Sequence, residues 1–334
     1  MTHDRHSGGP RGSGTAAEAP PQSSVQRDFL DALARAAASD ATVLLRGEPG
    51  TGKTRAARRL HAESARGGGP LVAIHLGSLS PTLIESELFG HVKGAFTGAV
   101  RDRAGAFRRA EGGTLVLDDV HLLPVALQTK LLRALQERTV EPVGAETPVP
   151  IDVRVCATTT ADLARAVREG RFRDDLFYRL AVVVLDLPPL RARPEDLPEL
   201  VHHTLQRVAV RLGRAPRTAD DAVLERLARH AWPGNVRELE NAMERVSALG
   251  DPGAPVDVAE LAFLDEAVAG EERRIAKLAL SAGVGVRDLE VAMLEEALEQ
   301  QRGNVSAAAR QVGVTRRAFE YRLARAQEPD EDAP

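Results

Sequence analysis

The sequence has little cysteine, few aromatic residues and no long apolar run. Its single cysteine, Cys156, cannot form an intramolecular disulfide and leaves no cysteine cluster for a metal site. No stretch approaches the roughly 18 apolar residues that a membrane-spanning helix needs, and the first residues carry no apolar segment of a signal peptide. We therefore expect a cytoplasmic protein with no membrane contact.

A surplus of basic residues is also absent. Lys and Arg together number 44 against 48 Asp and Glu, which gives a formal net charge of -4. This balance excludes a globally basic nucleic-acid coat, so any DNA binding must come from a local patch. What the sequence does have is 334 residues with 43% hydrophobic content, enough for two or three folded domains.

Short apolar runs alternate with helical patterns in the first half of the chain. The runs are 41–47, 71–76, 114–120, 153–160 and 181–188. Continuous apolar strands separated by helices are typical of a parallel sheet that is covered on both faces. The sequence therefore predicts an α/β domain, followed by segments that are helical throughout.

Changes in composition set the expected domain boundaries. The predicted segments are a disordered tail at 1–24, an α/β subdomain at 25–188, a helical lid at 189–250, a linker at 251–285, a helix-turn-helix at 286–326 and an acidic tail at 327–334. The first tail is rich in Gly, Pro and Ser and has hardly any large apolar residue, so it cannot offset the entropy of ordering.

A glycine-rich motif, GEPGTGKT, lies between the first apolar run and a helical pattern. This context is typical of a phosphate-binding loop, in which backbone N–H groups face phosphate oxygens and a helix N-terminus adds its dipole. Lys53 would reach the β and γ phosphates, and Thr54 would hold Mg²⁺. The nucleotide-binding residues predicted here are Gly47, Glu48, Pro49, Gly50, Thr51, Gly52, Lys53 and Thr54.

A pair of acids ends the third apolar run, TLVLDD. A carboxylate at the end of a buried strand is the usual second element of such a nucleotide site. We therefore predict that Asp118 holds Mg²⁺ together with Thr54.

The segment RGNVSAAARQVGVTRRAFEYRLARA, 302–326, predicts a helix-turn-helix. Asn304 and Thr315 can cap its helices, and Gly313 provides the turn. This segment has six arginines and one acidic residue, and such a local surplus of positive charge is typical of phosphate contact. The predicted DNA-binding residues are Thr315, Arg316, Arg317, Glu320, Tyr321 and Arg325. The alternative is a small helical packing or dimerisation unit.

Further motifs give the chain a family resemblance over about residues 25–326. It resembles the AAA+ domain of bacterial enhancer-binding proteins, the activators of sigma-54 RNA polymerase, followed by a Fis-type DNA-binding domain. The motifs are GEPGTGKT, ESELFGHVKGAFTGA, GGTLVLDD, FRDDLFYRL, LPPLRARPEDLP and WPGNVRELEN. ESELFGH followed by GAFTGA is close to unique to that family, whereas many NTPases share the glycine-rich loop.

The resemblance implies roles for particular residues. Arg173 and Arg179 match the region where an arginine reaches the γ-phosphate held by a neighbouring subunit, and Arg237 matches the lid arginine that senses nucleotide in cis. Sites shared in this way imply a homo-oligomeric ring, and the family forms hexamers that bind ATP. The loop expected to contact sigma-54 comprises Gly94, Ala95, Phe96, Thr97, Gly98 and Ala99.

Three positions depart from the family pattern. Asp119 stands where a Glu usually positions the attacking water, Thr160 replaces an asparagine that reports on the γ-phosphate, and His75 replaces an asparagine that couples the acid to nucleotide state. A change of one methylene matters for orienting a nucleophile. Nucleotide binding is therefore better supported than turnover, although Asp119 keeps its carboxylate and Thr160 can still donate a hydrogen bond.

These patterns predict an ATPase that binds enhancer-like double-stranded DNA and remodels promoter-bound sigma-54 RNA polymerase through the GAFTGA loop. One alternative is a DNA-bound regulator that binds nucleotide and hydrolyses it weakly or not at all. A second alternative is an AAA+ remodeller that acts on other clients, which the intact GAFTGA motif disfavours.

Overall fold

The computed structural model describes residues 21–78, 80–264, 275–276, 278–301 and 303–326. The chain divides after Val258 into two compact units. The strands are β1 (Val43–Arg46), β2 (Leu71–His75), β3 (Gly90–His91), β4 (Arg103–Ala104), β5 (Thr114–Asp118), β6 (Thr139–Val140), β7 (Val149–Pro150), β8 (Arg154–Thr159) and β9 (Val183–Asp186). The helices of the first unit are α1 (Ser24–Ala37), α2 (Lys53–Ala62), α3 (Pro81–Phe89), α4 (Ala106–Arg109), α5 (Val125–Glu137), α6 (Leu163–Arg168), α7 (Asp174–Leu180), α8 (Leu197–Leu212), α9 (Asp221–Ala228) and α10 (Asn235–Leu249). Those of the second unit are α11 (Val286–Gln300), α12 (Val305–Gln311) and α13 (Arg316–Ala326).

The first unit is built on a five-stranded parallel sheet in the order β2-β5-β8-β1-β9. Every residue of the central strand β8 is buried, because helices cover both faces of the sheet. Side chains of α1 and α2 form one core, and side chains of α3 to α7 form a larger core. All five predicted apolar runs form strands of this sheet, which confirms the α/β prediction.

Strand register brings the carboxyl ends of several strands together at one edge of the sheet. His75 of β2 pairs with Asp118 of β5, and Leu45 of β1 pairs with Thr158 of β8. Ligands of open parallel α/β sheets bind outside the carboxyl ends of the strands. The glycine-rich loop follows β1 and therefore starts at this edge.

A helical lid follows the sheet in the first unit. Its helices α8 and α10 pack against each other. Trp232 is buried beneath them, and its Nε1 donates to the Leu227 carbonyl at 2.9 Å. Both Trp232 and Asn235 have positive φ, 52° and 54°, so the turn WPGN that opens α10 is tightly folded.

The second unit contains the predicted helix-turn-helix. Asn304 Oδ1 accepts the Ala307 N–H at 3.1 Å, and Thr315 Oγ1 accepts the Ala318 N–H at 3.2 Å, so both residues cap helices as expected. Gly313, with a φ of 73°, makes the turn between α12 and α13. The three helices enclose a core of Leu294, Ala297, Ala308, Ala309 and Phe319.

One predicted boundary needs correction. The N–H groups of Gln22 and Ser23 donate to Asp196 Oδ1 at 2.6 and 2.8 Å, and α1 starts at Ser24. These residues belong to the folded unit, although the tail was expected to extend to residue 24. Residues 1–20 of that tail, the predicted acidic tail 327–334 and residues 265–274 and 277 of the predicted linker lie outside the described residues.

Candidate nucleotide, polymerase and DNA sites

The glycine-rich loop curls between β1 and α2. Gly50 and Gly52 have φ of 77° and 104°, in the left-handed region that favours glycine. The Gly47 N–H donates to the Thr159 carbonyl at 3.3 Å, which fixes the start of the loop against β8. The loop therefore has the backbone shape that a phosphate-binding loop requires.

Lys53 opens α2 and points back into the loop. Its side chain is largely buried, and Nζ donates to the carbonyls of Gly47 and Glu48 at 2.9 and 3.0 Å. Burial lowers the pKa of Lys53, while the negative charges of Asp119 and Asp118 act in the opposite direction. The ammonium group is thus held in the cradle where the sequence predicted it.

Thr54 and Asp118 meet beside Lys53, as predicted for the metal partners. Thr54 Oγ1 donates to Asp118 Oδ2 at 3.3 Å, and Thr158 Oγ1 donates to Asp118 Oδ1 at 2.5 Å. A hydroxyl and a carboxylate at a phosphate loop form the oxygen set that Mg²⁺ prefers. The side chains present therefore fit this ion.

The three positions that depart from the family pattern lie together around one carboxylate. Asp119 has left-handed backbone angles, φ 57° and ψ 53°, and its N–H donates to Thr158 Oγ1 at 3.1 Å. Thr160 Oγ1 donates to Asp119 Oδ1 at 3.5 Å, and His75 Nδ1 lies 3.8 Å from Asp119 Oδ2. His75 Nδ1 is closer to Asp118 Oδ2, at 3.4 Å.

His121 is a residue of this cluster that the sequence analysis missed. Its Nδ1 lies 3.2 Å from Thr159 Oγ1 and 3.9 Å from Asp119 Oδ1. Burial lowers the pKa of His121, which favours the neutral ring. The signal available in the sequence was its position two residues after the second acid of TLVLDD.

Lid residues contact the glycine-rich loop directly. Arg191 pairs with both carboxylate oxygens of Glu48 at 2.6 and 2.5 Å, and Asn235 Nδ2 donates to Glu48 Oε2 at 3.1 Å. A Cβ on Gly50 would lie 2.0 Å from the Gly234 carbonyl oxygen and 3.1 Å from the Arg237 Cβ. Arg237 is therefore beside the loop, and its role in sensing nucleotide stays a prediction. Arg191 and Asn235 were not foreseen.

A cavity of about 510 Å³ opens next to the glycine-rich loop, between α1, α2 and the lid. Its wall includes Thr51 and Gly52 of the loop together with apolar side chains from α1, the segment after β9 and α10, namely Phe29, Leu30, Leu187 and Val236. Charged side chains such as Arg27, Arg55 and Arg193 also line the cavity, and its apolar wall beside the phosphate cradle suits the base of a nucleotide. The sequence analysis did not assign any residue of α1 to the site.

Arg173 and Arg179 do not join the nucleotide site of their own chain. Arg173 pairs with Asp175 at 3.0 and 2.7 Å, and this partner raises the pKa of its guanidinium. Arg179 Nη2 donates to the Leu135 carbonyl at 2.7 Å. The predicted contact of either arginine with a neighbouring subunit remains a prediction.

The GAFTGA loop lies between β3 and β4 and is closed by backbone hydrogen bonds. The Gly94 N–H donates to the Ala99 carbonyl at 2.8 Å, and the Ala99 N–H donates to the Phe96 carbonyl at 2.9 Å. Phe96 is half-buried, with its ring centroid 5.0 Å from that of His91 in an edge arrangement, whereas Thr97 is exposed. Phe96 therefore packs locally and stays outside the two cores of the sheet.

The predicted DNA-binding residues lie along α13. Tyr321 is 65% exposed and Arg317 is exposed, whereas Arg316 pairs with Glu320 at 2.8 Å. The Thr315 hydroxyl accepts the cap hydrogen bond described above. The side chain of Arg325 lies outside the described residues. The helix thus presents cations near its N-terminus, where a recognition helix contacts DNA.

The fold and these sites define a protein of the AAA+ P-loop class joined to a helix-turn-helix domain. Family models match the chain as a sigma-54 interaction domain at residues 21–186, an AAA+ ATPase lid domain at 191–277 and a bacterial regulatory protein of the Fis family at 285–325. Within the described ranges, no helix is both long and apolar enough to cross a membrane.

Related proteins give the same assignment. The chain is 45% identical over 303 residues to the transcriptional regulatory protein ZraR of Klebsiella oxytoca, which covers 91% of this chain and 68% of that protein. It is 49% identical over 228 residues to the DNA-binding transcriptional regulator NtrC of Azospirillum brasilense, covering 68% and 47%. The chain belongs to the family of sigma-54-dependent transcriptional regulators.

Solved structures agree with the fold. The crystal structure of NtrX from Brucella abortus in complex with ATP matches with a TM-score of 0.69 and 32% identity, over 94% of this chain and 70% of that one. The ADP complex of the same protein also gives a TM-score of 0.69, with 32% identity, over 93% and 69% of the two chains.

Proposed function

We propose that the protein is an ATP-driven activator that binds enhancer-like double-stranded DNA and remodels promoter-bound sigma-54 RNA polymerase in the bacterial cytoplasm. The observation that carries this proposal is the assembled nucleotide site. Lys53 lies in the glycine-rich cradle, the Thr54 and Asp118 oxygens meet at 3.3 Å, and Asp119 follows directly.

Binding of ATP follows from the residues of the cradle. Backbone N–H groups of the loop would face the phosphates, and the Lys53 ammonium would exchange its two carbonyl contacts for phosphate oxygens. The apolar cavity beside Thr51 would enclose the base. Mg²⁺ held by Thr54 and Asp118 would neutralise charge on the phosphate oxygens.

Hydrolysis requires groups that act on the reacting phosphate. Asp119 would orient the attacking water, and Thr160 would donate a hydrogen bond near the γ-phosphate. Arg173 or Arg179 would stabilise the developing charge from a neighbouring subunit in a hexameric ring, because a guanidinium stays charged and matches phosphate geometry. Arg173 would have to leave Asp175 to do so. Arg237 would follow nucleotide state from the lid of the same chain.

The polymerase contact is assigned to Phe96 and Thr97. Thr97 is already exposed, and the Phe96 ring is half-buried against His91 and lies outside the two cores of the sheet, so no core packing is lost if the ring leaves for a partner's pocket. Gly94 and Gly98, with φ of 85° and 102°, have open space where a Cβ would lie, which leaves the loop free to move with nucleotide state.

DNA binding is assigned to α13. The exposed Arg317 and Tyr321 would contact base edges or phosphates in the major groove, and Arg316 would exchange Glu320 for a phosphate. If phosphate contacts dominate, replacing either arginine by Ala should reduce the salt dependence of binding by about one unit of slope. A slope unchanged in both variants would favour the packing or dimerisation role for this unit.

The test of the ATPase is turnover of the purified protein across a concentration series, with Lys53→Ala as the background. Turnover that rises cooperatively with concentration would support a ring with shared sites. Tight ATP binding without turnover above background would support the alternative, a nucleotide-binding DNA regulator. The contacts that favour this alternative are those of Asp119, whose carboxylate lies 3.5 to 3.9 Å from the Thr160, His75 and His121 groups.

The test of the client is Phe96→Ala. Activation of a sigma-54 promoter should be lost while ATP affinity is kept, because Phe96 lies outside the nucleotide site. His91→Ala, which removes the ring against which Phe96 packs, provides a comparison that leaves Phe96 itself in place. Full promoter activation by Phe96→Ala would instead support a remodeller of other clients.

A further inference from the structure

His121 lies beside Asp119 and is held by a hydrogen bond between its Nδ1 and Thr159 Oγ1. The side chain is 18% exposed, and Nδ1 lies 3.2 Å from Thr159 Oγ1 and 3.9 Å from Asp119 Oδ1. Thr159 Oγ1 also accepts the Ala161 N–H at 3.1 Å. The hydroxyl that contacts the ring is therefore itself anchored at the carboxyl end of β8.

The orientation of the Asp119 carboxylate depends on the side chains around it. Its side chain is one methylene shorter than glutamate, and its left-handed backbone is held by the Thr158 hydroxyl. Among the described side chains that pair with it, its carboxylate lies 3.5 Å from Thr160 Oγ1, 3.8 Å from His75 Nδ1 and 3.9 Å from His121 Nδ1. Without a further contact, the orientation of the carboxylate would be poorly restricted.

His75 is less suited to this task than His121. Its side chain is 52% exposed, and its Nδ1 lies nearer to Asp118, at 3.4 Å, than to Asp119. His121 is more enclosed and faces Asp119 rather than Asp118 in the pairs described. The Thr159 hydroxyl donates to the Ala161 carbonyl at 3.1 Å and therefore accepts from the ring. A displacement of about 1 Å would let the Nδ1–H exchange Thr159 Oγ1 for Asp119 Oδ1.

We infer that His121 is a positioning residue for Asp119, holding its carboxylate toward the site of the attacking water through Nδ1. The inference rests on the proposed function, since it concerns the same hydrolytic step. His121 has no direct contact with nucleotide in this role. It acts by restricting the orientation of the Asp119 carboxylate.

The two amides provide a matched pair of variants. The side-chain nitrogen of Asn occupies nearly the position of histidine Nδ1, whereas that of Gln corresponds to Nε2. If Nδ1 holds Asp119, His121→Asn should keep kcat within about threefold, while His121→Gln and His121→Ala should lower it by about tenfold to a hundredfold. KM and the Kd for ADP should change by less than about twofold in all three.

A binding measurement separates positioning from turnover. ADP with aluminium fluoride and Mg²⁺ imitates the transferring phosphoryl group, and groups that act in the transition state bind such analogues more tightly than the ground state. We expect the ratio of the Kd for ADP to the Kd for ADP–aluminium fluoride to fall in His121→Gln and His121→Ala in parallel with kcat. Thermal unfolding of each variant reports whether the fold is kept.

The Asp119→Glu variant tests directly whether His121 compensates for the shorter side chain of Asp119. Glutamate in Asp119→Glu restores the missing methylene, so if His121 compensates for the shorter side chain, His121→Ala should cost less than about threefold in kcat there. This non-additivity is expected of two residues that act as a unit. An equal loss in both backgrounds would overturn the inference, as would His121→Asn losing as much as His121→Gln.

The inference and the proposed hydrolysis can fail separately. Wild-type turnover no faster than Lys53→Ala would remove the proposed hydrolysis. The role of His121 would then be judged only by the ratio of the Kd for ADP to the Kd for ADP–aluminium fluoride. An equal ratio in wild type and His121→Ala would overturn that role. Rapid wild-type turnover with unaltered kcat in His121→Ala would keep the ATPase and remove only this inference.

Discussion

Lys53 and Asp119 lie in one nucleotide site but are held by different kinds of contact. Lys53 Nζ donates to two backbone carbonyls at 2.9 and 3.0 Å. The Asp119 carboxylate meets side chains of Thr160, His75 and His121 at 3.5 to 3.9 Å. The phosphate-binding half is thus built from the main chain, and the hydrolytic half from exchangeable side chains.

This difference explains where the sequence varies. Main-chain geometry depends on glycines and on the strand-to-helix connection, so a change there would deform the whole loop. A side-chain cluster can lose one group and gain another, as Asp119 with His121 illustrates. The departures from the family pattern accordingly fall in the hydrolytic half, while GEPGTGKT is complete.

The largest effect should come from Lys53→Ala. We expect ATP affinity to fall by about a hundredfold and turnover to disappear, because charged hydrogen bonds contribute about 1.5–3 kcal/mol each. Calorimetric titration with ATP measures the loss. Lys130→Ala is the control, because Lys130 pairs with Glu85 at 2.5 Å away from the cradle. Equal affinities for wild type and Lys53→Ala would break the distinction between the halves.

Asp119→Asn should affect only the hydrolytic half. The amide keeps the size of the side chain but cannot accept a proton, so turnover should fall by about a hundredfold while ATP affinity changes by less than about threefold. Asp118→Asn provides the contrast, since it should weaken binding of ATP with Mg²⁺. A parallel loss of affinity in Asp119→Asn would show that the two halves are not separable.

Gly50→Ala should test the contact of the loop with the lid. Its Cβ would lie 2.0 Å from the Gly234 carbonyl oxygen, and φ at this position is 77°. We expect the free energy of unfolding without nucleotide to fall by about 2 kcal/mol or more. Gly52→Ala, with a φ of 104° and nothing within 4 Å of its Cβ, should cost less. Equal costs in thermal unfolding would mean that backbone strain alone matters.

The smallest effect should come from Glu48→Gln. The carboxylate and its partner guanidinium of Arg191 are 39% and 49% exposed, so solvent screens the pair. We expect a loss below about 1 kcal/mol in the free energy of unfolding. A double-mutant cycle with Arg191→Ala in chemical unfolding measures the coupling. A much larger coupling energy would mean that this exposed ion pair contributes substantially to the stability of the loop.

The fold was predictable where local patterns decide it. The apolar runs formed the strands of the sheet, and Asn304 and Thr315 cap the helices that were assigned to them. Contacts between distant segments were not predictable in the same way. Arg191 with Glu48, Asn235 with Glu48, and the α1 wall of the cavity each join residues that have no shared motif.

The sequence by itself determined the shape of the phosphate loop, because Gly50 and Gly52 permit left-handed backbone and the strand and helix on either side are local patterns. Only the tertiary structure decided which side chains surround Asp119. The register of β2, β5 and β8 sets His75 and Thr158 beside it. The reason is physical: a side-chain cluster depends on how strands far apart in the chain align, and a shift of one residue would turn each of these side chains to the other face.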